Sequence, residues 1–428
     1  MARWNTIARG TAVAAVATLA LAACSVEGDS DSSSSADASS SDTAAASGDA
    51  LKIGTLLPIT GSLAFLGPPE IAGVHLAANE INEAGGVFGQ DVEVIDSDSS
   101  DTANPQIASQ SVSDLIAQGV GGIVGAASSS VSLNVVDDVA AASVVQISPA
   151  NTSTALSGYS DFYFRVAPPD TVQGNALANV IMDDGIENLG ILVFEDDYGT
   201  SLRDVVVDTL GDTVNVTYGA TETFDPTATN FSAEAQAVMA TNPDAILIIA
   251  FEQTVQVIKA LQTAGWEDFS QTYYTDGNTA DYSEDLDAGL LEGAKGTIPG
   301  ANPTTEFQDL LNSAADEPLD SFSYGAESYD STMLLALAAL KGGDSSGATI
   351  QANMAAVSGA NGGTECTGWV ECSDLINAGE EIAYQAVSGS GAFNDANDPS
   401  SAYIGVYEFD ADNVPVWQEA VYGEVPAA

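Results

Sequence analysis

Positive charge is what this sequence has least of. It carries 8 Lys and Arg and one histidine, His75, against 61 Asp and Glu in 428 residues. Phosphate contacts need Lys and Arg, so nucleic acid is excluded as a partner. A lone histidine inside a helical segment leaves a Ser-His-Asp triad without a plausible base. Histidine-rich metal centres lack their ligands for the same reason. No P-loop is present. Gly343-Asp344-Ser345-Ser346-Gly347 has the letters of a nucleophile elbow, but it follows a helical pattern where that turn requires a strand, so it reads as a polar loop. No catalytic residue, cofactor or metal is expected. The acidic excess admits cation binding or a heavily solvated surface suited to salt. The acids are scattered along the whole chain, which favours the solvated surface. The loops 96–101 and 394–398 lack full calcium-loop spacing and also read as solvated.

Long apolar runs are absent too. Arg3 and Arg9 precede an uncharged stretch from Gly10 to Ala23, shorter than the roughly 20 apolar residues that span a bilayer. A basic start, a short apolar stretch and small residues before a cut site describe a secretory signal, residues 1–23. Leu21-Ala22-Ala23-Cys24 resembles a bacterial lipobox, which implies a lipid on Cys24, an extracytoplasmic location and a membrane anchor. Residues 24–50 are nearly all Ser, Asp, Ala, Gly and Thr, too polar to offset ordering entropy, and read as a flexible tether. No later segment resembles a transmembrane helix. Removing the signal removes Arg3 and Arg9 and makes the remainder more acidic still.

The remaining cysteines, Cys366 and Cys372, lie in a short Gly-rich segment. In an exported protein a close pair reads as a disulfide; metal binding would need further Cys or His ligands.

From residue 51 an alternation begins. Lys52 to Pro58, Val92 to Ile95, Gly121 to Gly125, Val144 to Ser148 and Phe162 to Val166 read as strands. Ile71 to Ala84, Pro105 to Gln118 and Val131 to Ala142 read as the helices between them. The rhythm restarts with strands at Gly190 to Phe194, Val214 to Tyr218, Ala245 to Ala250 and Thr272 to Thr275. Helices at Thr200 to Leu210, Phe231 to Thr241 and Thr254 to Ala264 intervene. Such alternation means α/β architecture, with parallel sheets covered by helices on both faces. Ligands then sit beyond the carboxyl ends of the strands.

Several segments carry a family resemblance: Ile53-Gly54-Thr55-Leu56-Leu57-Pro58-Ile59-Thr60-Gly61, then Ala78-Asn79-Glu80-Ile81-Asn82-Glu83-Ala84-Gly85-Gly86-Val87, then Ile123-Val124-Gly125 with Ser128-Ser129-Ser130, then Ile147-Ser148-Pro149-Ala150-Asn151-Thr152. In this order they resemble the extracellular substrate-binding proteins of ABC importers, in the branched-chain amino-acid group. The resemblance covers residues 51–428. It implies a two-lobed type I periplasmic-binding fold that closes on its ligand, with crossings near 166–169, 296–300 and 400–404. Lobe 1 would be 51–166 plus 298–400, and lobe 2 would be 167–297 plus 401–428. It also implies an importer permease as partner, an amino acid as ligand, and a monomer.

The site residues follow from the same resemblance. Ser128-Ser129-Ser130 opens a helix after a strand. By itself that is a helix cap or an anion site; the family makes Ser129 a ligand for a carboxylate, with Ser128 beside it. Ala150 and Thr152 would add a backbone contact and a hydroxyl. Asp276, followed by Gly277, would pair with the ligand ammonium, one carbon shorter than the family's usual glutamate. Tyr198 and Phe251 would face the cleft. Leu66 stands where relatives often carry an aromatic ring. Tyr324 and Tyr329 are further candidates on the first lobe. A solute-sensing receptor of the same fold, or a binder of an amide, urea or another small polar solute, stays open as an alternative.

Overall fold

A computed structural model describes residues 49–425. Cys24, the signal segment and nearly all of the tether lie outside the described residues.

The first sheet is built from β1 (Lys52–Leu56), β2 (Glu93–Ile95), β3 (Gly122–Gly125), β4 (Val145–Ser148) and β5 (Tyr163–Arg165). All are parallel, in the order β2-β1-β3-β4-β5. Strands β3 and β4 are buried throughout, as parallel strands between helical layers must be. The helices are α1 (Gly67–Glu83), α2 (Pro105–Ala117) and α3 (Ser129–Ala141). Helix α1 begins a turn earlier than its apolar spacing predicts. Pro68 and Pro69 supply the first turn, where a missing N–H costs nothing.

The second sheet follows α4 (Asp170–Asp183), a helix the alternation did not reveal. It contains β6 (Asn188–Val193), β7 (Asn215–Tyr218), β8 (Ala245–Ile249), β9 (Thr272–Tyr274) and β10 (Lys295–Pro299), with α5 (Asp197–Leu210), α6 (Ser232–Met239) and α7 (Thr254–Ala264) between them. The chain then returns to the side of the first sheet through α8 (Thr305–Ala314), α9 (Gly325–Gly342), α10 (Gly347–Val357), β11 (Thr364–Cys366), α11 (Gly368–Asn377) and β12 (Ile382–Tyr384), with β11 and β12 paired as a separate two-stranded parallel sheet. Strands β13 (Ser401–Phe409) and β14 (Pro415–Glu424) rejoin the second sheet, whose order is β14-β13-β10-β9-β8-β6-β7. This last hairpin is antiparallel, so the second sheet is parallel only as far as β10. Each sheet has its own apolar core, the second built around β6, β8 and α5, the first around β1, α1 and α9.

Between the sheets the chain crosses at residues 166–169, at 300–304 and at 400. Strand β10 stays in the second sheet through Pro299, and Gly300 still bridges Ile404 of β13, so the chain leaves that sheet at the end of the expected 296–300 stretch. Helix α9 is buried almost all round; its core leucines contribute roughly 1.5–3 kcal/mol each on burial. It crosses α1 closely because Gly73 has no side chain. A Cβ there would stand 2.1 Å from the Gly325 carbonyl oxygen. That contact fixes where the first turn of α9 points.

The loop 394–398 is solvated only in part: Asp395 is exposed, Asp398 is not. Asp398 is buried and pairs with fully buried Arg165 at 2.5 Å. The guanidinium also donates to the carbonyls of Asn151 and Ser153 and to Ser157 Oγ. Cys366 and Cys372 are joined by a disulfide with Cα atoms 5.3 Å apart. Ser346, in the elbow-like pentapeptide, caps α10. Among the described residues no helix is long and apolar enough to cross a membrane.

Candidate functional site

The strand ends of the two sheets face each other, and loops from both meet there. On the first lobe, Ser128 caps α3 by accepting from Val131 N at 3.4 Å. The amides of the helix's first turn have no intrahelical acceptor. Ser129 Oγ accepts from Ser153 N at 3.2 Å and keeps its own proton to donate. Ser148 binds the loops after β3 and β4 together. It donates to Ala126 O at 2.7 Å and accepts from the amides of Ala150 and Asn151.

On the second lobe, Asp276 and Gly277 follow β9. Asn278 clamps this turn, accepting from Thr275 N and donating to Ile248 O. Gly277 has no side chain because a Cβ would stand 2.7 Å from the Phe251 ring. That ring stacks on Tyr198, centroids 5.5 Å apart. Tyr198 donates its hydroxyl to Asp276 Oδ1 at 2.7 Å, and Gln173 of α4 donates to the same oxygen at 2.8 Å. Tyr324, at the first lobe's α9 N-cap, donates to Asp276 Oδ2 at 2.7 Å. Burial pushes the Asp276 carboxyl up, and the bonds from Tyr198, Gln173 and Tyr324 pull against that shift.

These groups enclose a cavity of about 20 Å³, room for about one water. Ser128, Ser129 and Ala150 form one wall. Tyr198, Phe251, Asp276 and Gly277 form the other, and Leu63, Leu66, Ala127 and Tyr324 close it. Two expected residues lie elsewhere. Thr152 is buried behind the wall, its carbonyl accepting from Asp170 N at 2.7 Å and its hydroxyl without a hydrogen bond. Tyr329 faces away, its hydroxyl on Glu80 and its ring edge-on to Phe307. Ala150 N is already taken by Ser148 Oγ, so that amide is not free for a ligand. Gln173 was missed. Asp170, fully buried at the start of α4 with no hydrogen bond on either carboxyl oxygen, was missed too; burial pushes its carboxyl up to about 7.

Larger cavities flank the small one. One of about 690 Å³ lies beyond Phe251, and one of about 1350 Å³ lies beyond Tyr324. At the first, Ser130 Oγ stands 2.9 Å from both Asp196 Oδ2 and Asp197 Oδ2 and accepts from Asp197 N. Thr154 N donates to Ser201 Oγ at 2.9 Å. Both contacts join the lobes. Among the described residues no group of three or more His, Cys, Asp or Glu could hold a metal.

Two α/β lobes joined by three crossings, with polar groups of both facing one buried cavity, define the type I periplasmic-binding fold. The chain belongs to the periplasmic binding protein family, whose model matches residues 50–369. The chemotactic signal transduction system substrate-binding protein BasB of Halobacterium salinarum is 26% identical over 378 residues, covering 84% of this chain and 87% of that one. The branched-chain amino acid transporter substrate-binding protein LivJ of Streptococcus pneumoniae, solved with isoleucine, superposes with a TM-score of 0.70 at 21% identity, covering 88% of this chain and all of that one. An ABC-transporter solute-binding protein of R. palustris, solved with 4-hydroxybenzoate, gives 0.67 at 18% identity, covering 88% of this chain and 98% of that one.

Proposed function

We propose that this chain captures an α-amino acid between its lobes and presents it to an ABC-importer permease, held to the outer face of a membrane by a lipid on Cys24. One observation carries the reading: a single buried carboxylate, Asp276, faces the hydroxyls of Ser128 and Ser129 across a closed cavity. An amino acid has the matching groups. Its carboxylate would accept from Ser129 Oγ and the first amides of α3, where the helix dipole favours an anion. Its ammonium would pair with Asp276 and keep it ionised despite burial. Only the closed arrangement gains both contacts, so binding shifts the lobes toward closure. At about 20 Å³ the cavity has to widen first, and Tyr324 is the first-lobe wall residue that bonds Asp276 directly. The proposed lobes are 51–166 plus the 300–400 region, and 167–299 plus the C-terminal hairpin.

A second reading is solute sensing. The name of the Halobacterium salinarum relative favours it, and the binding step would be the same. The R. palustris ligand, a hydroxybenzoate, supports keeping non-amino-acid solutes in any screen.

The test is a thermal-shift panel on the mature chain with amino acids, amides, urea, polyamines and hydroxybenzoate, since a ligand specific to the folded state raises Tm. An amino acid should raise Tm, and Ser129→Ala and Asp276→Ala should each abolish that rise. A flat panel for all amino acids, or full response by both variants, sinks the reading.

A further inference from the structure

The wall formed by Tyr324 leads somewhere specific. One turn further along α9, Glu327 lines the large outer cavity while only 4% exposed. Its carboxylate occupies the space a side chain on Gly300 would fill, with Oε1 2.2 Å from that Cβ position. Gly300, with φ +99°, takes a conformation that suits glycine. Burial is the main cause that raises this carboxyl above its ordinary range. Behind it Glu70, fully buried in the first turn of α1, has no hydrogen bond on either oxygen.

A buried carboxylate with no cation beside it is costly, and a cation is what would relieve it. The protein supplies none. Lys and Arg are absent from the cavity wall, and its His75 is committed to Asp96 at 2.9 Å. Further out the wall carries Asp281 and Asp285 from the second lobe and Asp316 from the first, which concentrate negative potential there. Tyr407 and Trp417 add aromatic faces that attract ammonium and guanidinium groups.

We propose that the preferred ligand is a basic amino acid, whose α-groups sit at Ser129 and Asp276 and whose ammonium or guanidinium passes Tyr324 to reach Glu327. This rests on the amino-acid reading above. Glu327 lies three residues beyond Tyr324, about 4.5 Å along the helix axis, so a long flexible side chain suits the path. The groups facing Glu327 are Glu70 on α1, Tyr324 and Asp330 on its own helix region, and Tyr407 on β13. None is a cation. Burial pushes Glu327 up to about 8, so an arriving cation ionises it and expels a proton.

The experiment is titration calorimetry on the mature chain with L-lysine, L-arginine, L-leucine and L-norleucine, the last being close to lysine without its charge. Lysine or arginine should bind at least about tenfold tighter than norleucine, the scale of one charge-assisted hydrogen bond. Glu327→Gln should remove that advantage, bringing lysine and arginine to within a fewfold of norleucine. At pH 7, lysine binding should release a proton, read from the heat in buffers of different ionisation enthalpy, and norleucine binding should not. The proposal is overturned if norleucine binds as well as both basic ligands, or if Glu327→Gln leaves the preference intact. Should the variant not fold, the lysine-to-norleucine ratio and the proton release in the unmodified chain decide it. If leucine and norleucine bind while lysine and arginine do not, only this inference falls. If none of the four binds and the wider amino-acid panel is flat as well, the amino-acid reading falls with it; if another amino acid binds, only this inference falls.

Discussion

The Tyr324 hydroxyl meets Asp276 Oδ2 at 2.7 Å, joining a helix cap of the first lobe to a strand end of the second. Tyr324 holds φ at 60°, an unusual value for a bulky residue, so its neighbours must over-determine its place. Asp276 has two donors from its own lobe, Tyr198 and Gln173, and this one from across the cleft. The bond therefore stabilises closure without ligand. Tyr324→Phe keeps the ring and deletes the bond. A hydrogen bond to a charged acceptor contributes about 1.5–3 kcal/mol, enough to shift an open–closed balance tenfold or more. The radius of gyration of the ligand-free mature chain, from small-angle scattering, should rise in the variant. An unchanged value would remove Tyr324 from any role in closure.

The Arg165–Asp398 pair makes a sharper stability prediction. Both side chains are buried, and the guanidinium also holds carbonyls of the loop after β4. Asp398→Ala strands a buried cation and should cost about 3–5 kcal/mol. Replacing both residues with apolar ones of similar volume should cost less than that single change. Denaturant midpoints of the single and double variants check it, and a double variant worse than Asp398→Ala alone would contradict it.

The alternating elements could be read because the strands are continuous Val, Ile and Leu runs bounded by turn residues, as in Ala245–Ile249. Helix α4 escaped notice although Pro169 and Asp170 open it and Val172, Ala176 and Ile181 face inward. Its Ala and Asn content weakens the periodic contrast. Gln173 could not be found at all, since its partner Asp276 lies 103 residues away and nothing local marks a glutamine as aimed at it. Ser129 and Asp276 were found only through family resemblance; strand-end position and residue type do not single them out among so many serines and acids. Tyr324 and Tyr329 looked alike as candidates, yet five residues of helix turn a side chain by about 140°. One therefore reaches the cavity and the other reaches Glu80.

Buried acids set the pH response. Burial raises Asp170 to about 7 and Glu327 to about 8. Between the unfolded carboxylate range and those values, the native state binds more protons than the unfolded one. Stability must then fall as pH rises across that window. Asp96 and Asp98 are held below their ordinary values chiefly by hydrogen bonds, from His75 and Thr60, against the opposing pull of burial; they act oppositely, losing stability only in strong acid. The Tm of the ligand-free mature chain should therefore decline from about pH 5 to pH 8.5, and Glu327→Gln should flatten the decline. A Tm that climbs over this range would show that Glu327 and Asp170 are ionised at little cost.

Closure also brings like charges together, which makes it depend on salt. Beyond Phe251, Asp101 of the first lobe shares a cavity with Glu195, Asp196, Asp197 and Glu252 of the second. Beyond Tyr324, Asp316 and Glu317 face Asp281, Glu284 and Asp285. Ser130 bridges the first of these lips, but its hydroxyl has one proton for two carboxylates, each at 2.9 Å. Raising KCl from about 0.1 M to about 1 M shortens the screening length from roughly 10 to 3 Å and weakens these repulsions. For a ligand with an uncharged side chain, such as norleucine, affinity should rise severalfold over that range, mainly through slower release. Asp197→Asn should reduce the salt dependence. Ser130→Ala should speed release at every salt concentration, because it deletes the bridge and leaves the repulsion. Stopped-flow release rates across a salt series read all three. Affinity independent of salt in the unmodified chain would mean that the acidic lips stay solvated and far enough apart on closure to contribute nothing.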